Sequence, residues 1–145
     1  MPSKNVETLR AAHDNWNRRD FNAMVSAMAA NVSYTDHARG ITFKTRDEFK
    51  NWAAAWAQAC PDGKIIQPSY IDAGDIVVTQ FTATGTNDGP LGSFPPTGRR
   101  MTLRFCEICQ FDANGQMTSG GVYYDQFTLL TQLGHLKQPA SAAGI

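Results

Sequence analysis

The chain has 145 residues, and its 13 lysines and arginines balance 13 aspartates and glutamates, so the formal net charge is zero. That length suits one domain with a real core, and the neutral balance, without a basic stripe or charge block, argues against nucleic acid or an anionic membrane as a partner. No apolar run is long enough to span a bilayer and no basic-then-apolar N-terminus suggests a signal peptide, so a reducing cytoplasm is the default expectation.

Val6, Leu9, His13 and Trp16 recur at helical spacing and predict a first helix. Asp20 reads as an N-cap, with Phe21, Met24, Val25 and Met28 on one face of a second helix. Asn31 to His37 alternates like a short strand, and Ile41 to Phe43 like another. Thr45-Arg-Asp-Glu48 is a capping box that opens a third helix, with Phe49, Trp52, Ala53 and Trp56 on its inner face. Pro61-Asp-Gly63 ends it. Ile65 to Ile71 and Ile76 to Thr84 then read as strands joined by a hairpin at Asp72 to Asp75.

The segment 85–98 holds four glycines and three prolines, yet carries Leu91 and Phe94. A loop this long in a compact domain is often a lid or a pocket rim. Met101 to Phe111 is the next strand. Gly120 to Asp125 follows a turn at Asp112-Ala-Asn-Gly115, and Phe127 to Leu133 reads as a last helical segment. Residues 1–138 form the expected domain, and 139–145 a flexible tail of small residues. Helices followed by an antiparallel meander indicate an α+β layout, with helices on one face of a strongly curved sheet. The mouth of such a cone is a natural small-molecule site.

Glu107 is the anomaly in this pattern. Its period-two companions are Leu103, Phe105, Cys109 and Phe111, so the carboxylate falls on an apolar face, where it needs a partner or a wet cavity. Asp125 ends the next strand in the same manner. If Ala113-Asn-Gly115 is a three-residue loop, Phe105 opposes Tyr123, Glu107 opposes Gly121, and the two acids share a face about 13 Å apart. A two-residue Asn-Gly turn places them on opposite faces. Asp125 reads either as an acid/base group raised by burial or as the N-cap of the last helix. Glu107 reads either as a cavity acid or as a carboxylate paired with an arginine or a tyrosine hydroxyl. Tyr34 and Asp36 share a face of the first strand, which makes Asp36 a second candidate carboxylate. His37 is a pocket residue or an exposed strand end. Trp16, Trp52 and Trp56 are core aromatics that also suit a pocket wall. Asn87 and Phe94 lie at the rim, and Phe105, Cys109 and Tyr123 near the two acids.

Cys106 and Cys109 have the spacing of a redox pair but sit within one predicted strand, with side chains on opposite faces. His13, His37 and His135 lack metal-ligand spacing, and no phosphate loop or nucleophile elbow is present. These spacings favour no metal site.

The run Gly85-Thr-Asn-Asp-Gly-Pro-Leu-Gly-Ser-Phe-Pro-Pro-Thr-Gly-Arg99, then Glu107-Ile108, Tyr123-Tyr-Asp125 and Leu129-Leu-Thr-Gln-Leu-Gly134, resembles the SnoaL-like polyketide cyclase (ester cyclase) family. Trp16 to Asp20 and Tyr34-Thr-Asp36 fit its first helix and first strand. The resemblance covers roughly residues 5 to 136 and implies the NTF2-like cone fold. It implies cofactor-free acid–base chemistry, an intramolecular aldol closure of an apolar carbonyl-containing polyketide-like molecule, with Asp125 as the acid/base. Glu107 and Asp36 are then further catalytic candidates. Tyr34, His37, Trp16, Trp56, Asn87, Phe94, Phe105, Cys109 and Tyr123 become the substrate-binding set. Ketosteroid isomerase, on the same fold, carries its base at a position similar to Asp36, so an isomerase of that kind is an alternative. A non-catalytic small-molecule-binding protein is another. The family often has histidine where Asn87 stands. Its cyclases also use a pocket histidine on the strand before the aspartate, where this chain has Glu107 and Cys109. Pairing through the outer sheet face implies a homodimer or homotetramer.

Overall fold

The computed structural model describes residues 3–137, so the tail expected over 139–145 lies outside the described residues. Among the described residues, four helices and six strands follow in chain order. They are α1 (Lys4–Asn17), α2 (Phe21–Met24), β1 (Met28–Asp36), β2 (Ile41–Phe43), α3 (Arg46–Ala59), β3 (Lys64–Ala73), β4 (Ile76–Thr86), β5 (Arg100–Phe111), β6 (Met117–Tyr123) and α4 (Gln126–Gln132). The strands form one sheet in the order β2-β1-β6-β5-β4-β3. All neighbours are antiparallel except β1 and β6, which run parallel. Among the described residues, no helix is long and apolar enough to cross a membrane.

Local chemistry explains the helix ends. Ser3 accepts the Val6 N–H to cap α1, and the Thr45 hydroxyl accepts the Glu48 N–H to cap α3. The Glu48 carboxylate reaches back to the Lys44 N–H at 2.8 Å, one residue before the cap. The second helix is shorter than its apolar spacing predicts. Asp20 caps it, but it ends after one turn, and Met28 enters β1 opposite Met117. The sheet pairing available to Met28 overrides the local helical pattern. Arg19 adopts φ 63° in the link between α1 and α2. Its guanidinium bonds the carbonyls of Trp16, Pro61 and Gly63 and stacks over Trp16, tying α1 to the turn after α3.

On β5, Met101, Leu103, Phe105, Glu107, Cys109 and Phe111 are all buried, and the alternate residues face outward. Opposite them, β4 presents Val77, Thr79 and Phe81. Helices α1 and α3 cover this inner face, and the buried apolar side chains form one contiguous cluster.

Bulges interrupt pairing in β1, β3 and between β5 and β6, and such irregularities bend a sheet. The last of them decides the site. The turn has the expected three-residue form, with the Asp112 N–H donating to Gln116 and Gly115 at φ 78°. Phe111 then pairs with Met117, but Gln110 pairs with Ser119, leaving Thr118 as an extra residue. Glu107 therefore opposes Val122 instead of Gly121, and Cys106 opposes Tyr123. One extra residue reverses the faces of everything beyond it.

Candidate functional site

The cone between α1, α3 and the sheet encloses about 830 Å³ of empty space, counted out to its open mouth. Its wall is largely apolar and aromatic, with Leu9, Met24, Trp16, Trp52, Trp56, Phe81 and Phe105 prominent. Phe81 and Phe105 stack at 5.3 Å on adjacent strands, and Trp56 meets Phe105 edge-on at 6.0 Å. The polar exceptions on this wall include His13, Tyr34 and Glu107, which form one hydrogen-bonded group.

Each of these three arrives from a different element. His13 extends the Val6–Leu9 face of α1, Tyr34 lies on the inner face of β1, and Glu107 keeps the inward parity of β5. His13 Nε2 lies 2.8 Å from Glu107 Oε1, and its Nδ1 lies 2.9 Å from the Tyr70 hydroxyl on β3. The Tyr34 hydroxyl donates to Glu107 Oε2. His13 and Glu107 are 8% and 7% exposed, so the pair is shielded from bulk water. Burial pushes the Tyr70 hydroxyl up to about 12, and burial followed by the Glu107 charge pushes Tyr34 well above the ordinary tyrosine range. Both phenols therefore remain donors at neutral pH. With the Tyr70 hydroxyl donating to Nδ1, the imidazole proton sits on Nε2 and is donated to Glu107. Both carboxylate oxygens are thereby oriented, and the imidazole and the carboxylate border the cavity. Thr79, directly opposite Glu107 on β4, is wholly buried and its hydroxyl has no partner among the described residues.

The other sequence-derived candidates divide clearly. Trp16, Trp56 and Phe105 line the cavity beside Tyr34 and Glu107. Asp125 does not. It is exposed at the N-terminus of α4, where its oxygens accept the Thr128 N–H at 3.1 Å and the Thr128 hydroxyl at 2.7 Å. Those two bonds hold its carboxyl below the usual carboxylate range, the opposite of the raised value expected for a buried acid. The Thr118 bulge is the reason, because it turns the odd-numbered residues of this segment outward. Tyr123 follows the same rule: it is exposed on the outer face and stacks on exposed His37 at 4.2 Å, so neither is a cavity residue. Tyr124 takes the inward position.

Asp36 is fully buried but does not border the cavity. Its carboxylate accepts Trp52 Nε1 at 3.0 Å, the Tyr124 hydroxyl at 2.8 Å and the Arg39 N–H at 3.2 Å, so it braces two aromatic walls. Cys109 is packed in the core beyond the cavity, and burial raises its thiol well above the usual range. Asn87 is a loop anchor. Its amide donates to Gly89, and its oxygen accepts from the Thr97 hydroxyl and faces His135. Phe94 lines a separate cavity beneath the 85–98 loop. Among the described residues, no cluster of three or more His, Cys, Asp or Glu side chains is placed to hold a metal ion.

His13 and Tyr70 were absent from the sequence-derived site. The available signal for His13 was a titratable side chain on an apolar helix face. Its partner lies 94 residues away, and nothing local points to it.

The model of the SnoaL-like polyketide cyclase family matches residues 6–133. No curated protein matches the chain significantly. The fold is that of solved structures with low sequence identity. A candidate SnoaL-like polyketide cyclase from Jannaschia sp. CCS1 superposes with a TM-score of 0.82 at 20% identity, over 96% of this chain and 99% of that one. AclR, a candidate hydroxylase from Streptomyces galilaeus, gives 0.81 at 19% identity, over 97% and 87%. A hypothetical protein with a ketosteroid isomerase-like fold from Catenulispora acidiphila DSM 44928 gives 0.75 at 23% identity, over 88% and 92%. The differing descriptions of these neighbours show why the fold alone does not name a reaction. The α+β layout is thus the NTF2-like, ketosteroid isomerase-like fold, and by the family match over most of its length the chain belongs to the SnoaL-like polyketide cyclase family.

Proposed function

We propose that the cone binds a mostly apolar, carbonyl-bearing molecule of the polyketide type, and that Glu107 and His13 perform acid–base chemistry on it. The observation that carries this reading is the shielded His13–Glu107 pair on an otherwise apolar wall. A carboxylate buried on an apolar wall is costly unless hydrogen-bonded, and this one, held by His13 and Tyr34, faces a cavity where it suits a chemical task. In this reading Glu107 takes a proton from carbon beside a carbonyl. The enolate carbon attacks a second carbonyl of the same molecule, forming the ring bond, and the alkoxide so formed recovers a proton from the Glu107 carboxyl. His13 and Tyr34 orient the carboxylate, and the aromatic walls fold the substrate so that its two carbonyls meet. The reaction uses only side chains of this chain. Asp125, which the family resemblance favoured, caps α4 outside the cone and takes no step in this reading.

The test is turnover of an aromatic poly-β-carbonyl methyl ester, followed by ring closure, alongside binding followed by fluorescence of the cavity tryptophans. Glu107→Gln lowers turnover by about 100-fold or more with little change in binding. Unchanged turnover in Glu107→Gln and in His13→Gln would falsify the assignment. Conversion of no probe, with tight binding retained, favours the simpler role of a small-molecule-binding protein, which the apolar cavity supports equally well.

The outer sheet face supports self-association. Ile71, Val78 and Ile108 form one registered row across β3, β4 and β5, and Ile71 and Ile108 are 60% and 40% exposed. In this reading the row is the seam of a homodimer.

A further inference from the structure

A second cavity lies on the far side of Trp56 from the cone, with about 430 Å³ of empty space counted out to its mouth. Its floor is Leu129 and Leu130 of α4, and its other wall is Leu91 to Phe94 of the long loop. That loop is well tied down. Leu91 and Phe94 exchange two backbone hydrogen bonds, Asn87 anchors both ends, and Phe94 packs on His135 at 4.6 Å. Gly89 seats it against α3, since a Cβ there would lie 2.0 Å from the Gln58 carbonyl oxygen. The wall is therefore preformed, as ligand sites usually are.

Two polar groups at this cavity have no protein partner. The Arg39 guanidinium, beside Gly92, makes no hydrogen bond or ion pair among the described residues; only its backbone N–H is used, on Asp36. Gln126 Oε1 is buried and likewise lacks a partner. Arg39 is exposed at the mouth of the cavity, whereas Gln126 Oε1 is a buried polar atom without a partner, which is uncommon and needs a reason. A cation and an unsatisfied acceptor at one apolar, preformed cavity are complementary to an anion and a donor on one small body. We infer that this cavity binds an apolar ring carboxylate whose hydroxyl stands apart from it on the ring. The carboxylate lies on Arg39, the hydroxyl donates to Gln126 Oε1, and the ring lies between Phe94, Leu91 and Leu129. Guanidinium suits a carboxylate because its N–H groups match the two oxygens.

The probe is 6-hydroxy-2-naphthoate, with methyl 6-methoxy-2-naphthoate as the neutral control lacking the donor. Calorimetry measures affinity, and backbone amide shifts locate the site, because Trp56 borders both cavities and its fluorescence cannot. The acid shifts Gly92, Ser93 and Gln126, and the neutral control binds about tenfold more weakly or worse. Arg39→Gln and Gln126→Leu each weaken the acid by about tenfold, and Arg39→Lys less than Arg39→Gln. Arg39 is exposed and Gln126 only partly buried, and circular dichroism verifies that the variants remain native. The cone variant H13L/E107L leaves this binding unchanged. Three results overturn the inference: no binding of the acid, affinity indifferent to both substitutions, or shifts confined to cone residues such as Ala12, Met24 and Met117.

Discussion

The His13–Glu107 pair makes an energetic prediction that needs no substrate. Replacing His13 by leucine fills the space but leaves Glu107 Oε1 facing an apolar wall, with Tyr34 as the remaining donor to the carboxylate. Breaking a buried pair in this way costs about 3 kcal/mol. Glu107→Leu removes the acceptor for His13 Nε2–H and for the Tyr34 hydroxyl, orphaning two donors for a loss of about 3 kcal/mol as well. Independent effects would sum to about 6 kcal/mol, but the double variant H13L/E107L creates no unpaired charge and leaves mainly the Tyr34 hydroxyl unsatisfied. It is therefore expected to cost about 3 kcal/mol, a coupling of about 3 kcal/mol. Urea unfolding followed by tryptophan fluorescence measures this directly. With a slope of about 2 kcal/mol per molar urea, each single variant moves the midpoint down by about 1.5 M, and the double by no more. A double variant that loses the full sum means the two side chains do not meet in the folded chain, and the site built on them fails with it.

Asp125→Ala lowers the melting temperature slightly, Asp125→Asn less, and neither changes ligand affinity in the cone. A large loss of cone binding would return Asp125 to the site. Because its folded carboxyl titrates below the unfolded value of about 3.9, the capping contribution is intact above that value and is lost as pH falls through the folded one. At the alkaline end the sign reverses. Three of the four tyrosines, Tyr34, Tyr70 and Tyr124, are raised chiefly by burial, so the folded state holds protons that the unfolded chain releases near pH ~10. Stability should fall as pH rises above that point, and tyrosinate absorbance at those three positions should lag until unfolding. A smooth titration of all four at the free-phenol value contradicts the buried network. On the outer face, Ile108→Lys should convert a dimer to a monomer by light scattering, with the circular dichroism spectrum unchanged; a wild-type mass equal to one chain removes the dimer reading.

Much of this protein follows from local pattern. The inward parity of Met101, Leu103, Phe105, Glu107 and Cys109 is a period-two fact, and it marked Glu107 as a buried acid before any contact was known. The capping box at Thr45, the Gly115 turn and the inner faces of α1 and α3 likewise arise from neighbours in sequence. At Asp125 the sequence allowed an acid or a cap, and the carboxylate makes the cap bonds to Thr128.

Long-range register decided the rest. The single unpaired residue at Thr118 moves Asp125 and Tyr123 out of the cone and Val122 and Tyr124 inward. No turn rule anticipates it, because a bulge is chosen by the fit of two strands to a curved sheet. The meeting of His13 with Glu107 is of the same kind. Each residue is legible alone as a polar group on an apolar face, but helix packing over the sheet sets which polar groups face each other. Sequence alone determined that this chain buries an acid in an α+β cone. Tertiary structure determined that a helical histidine and two tyrosines are its companions, because only the closed cone brings α1, β1, β3 and β5 to one point.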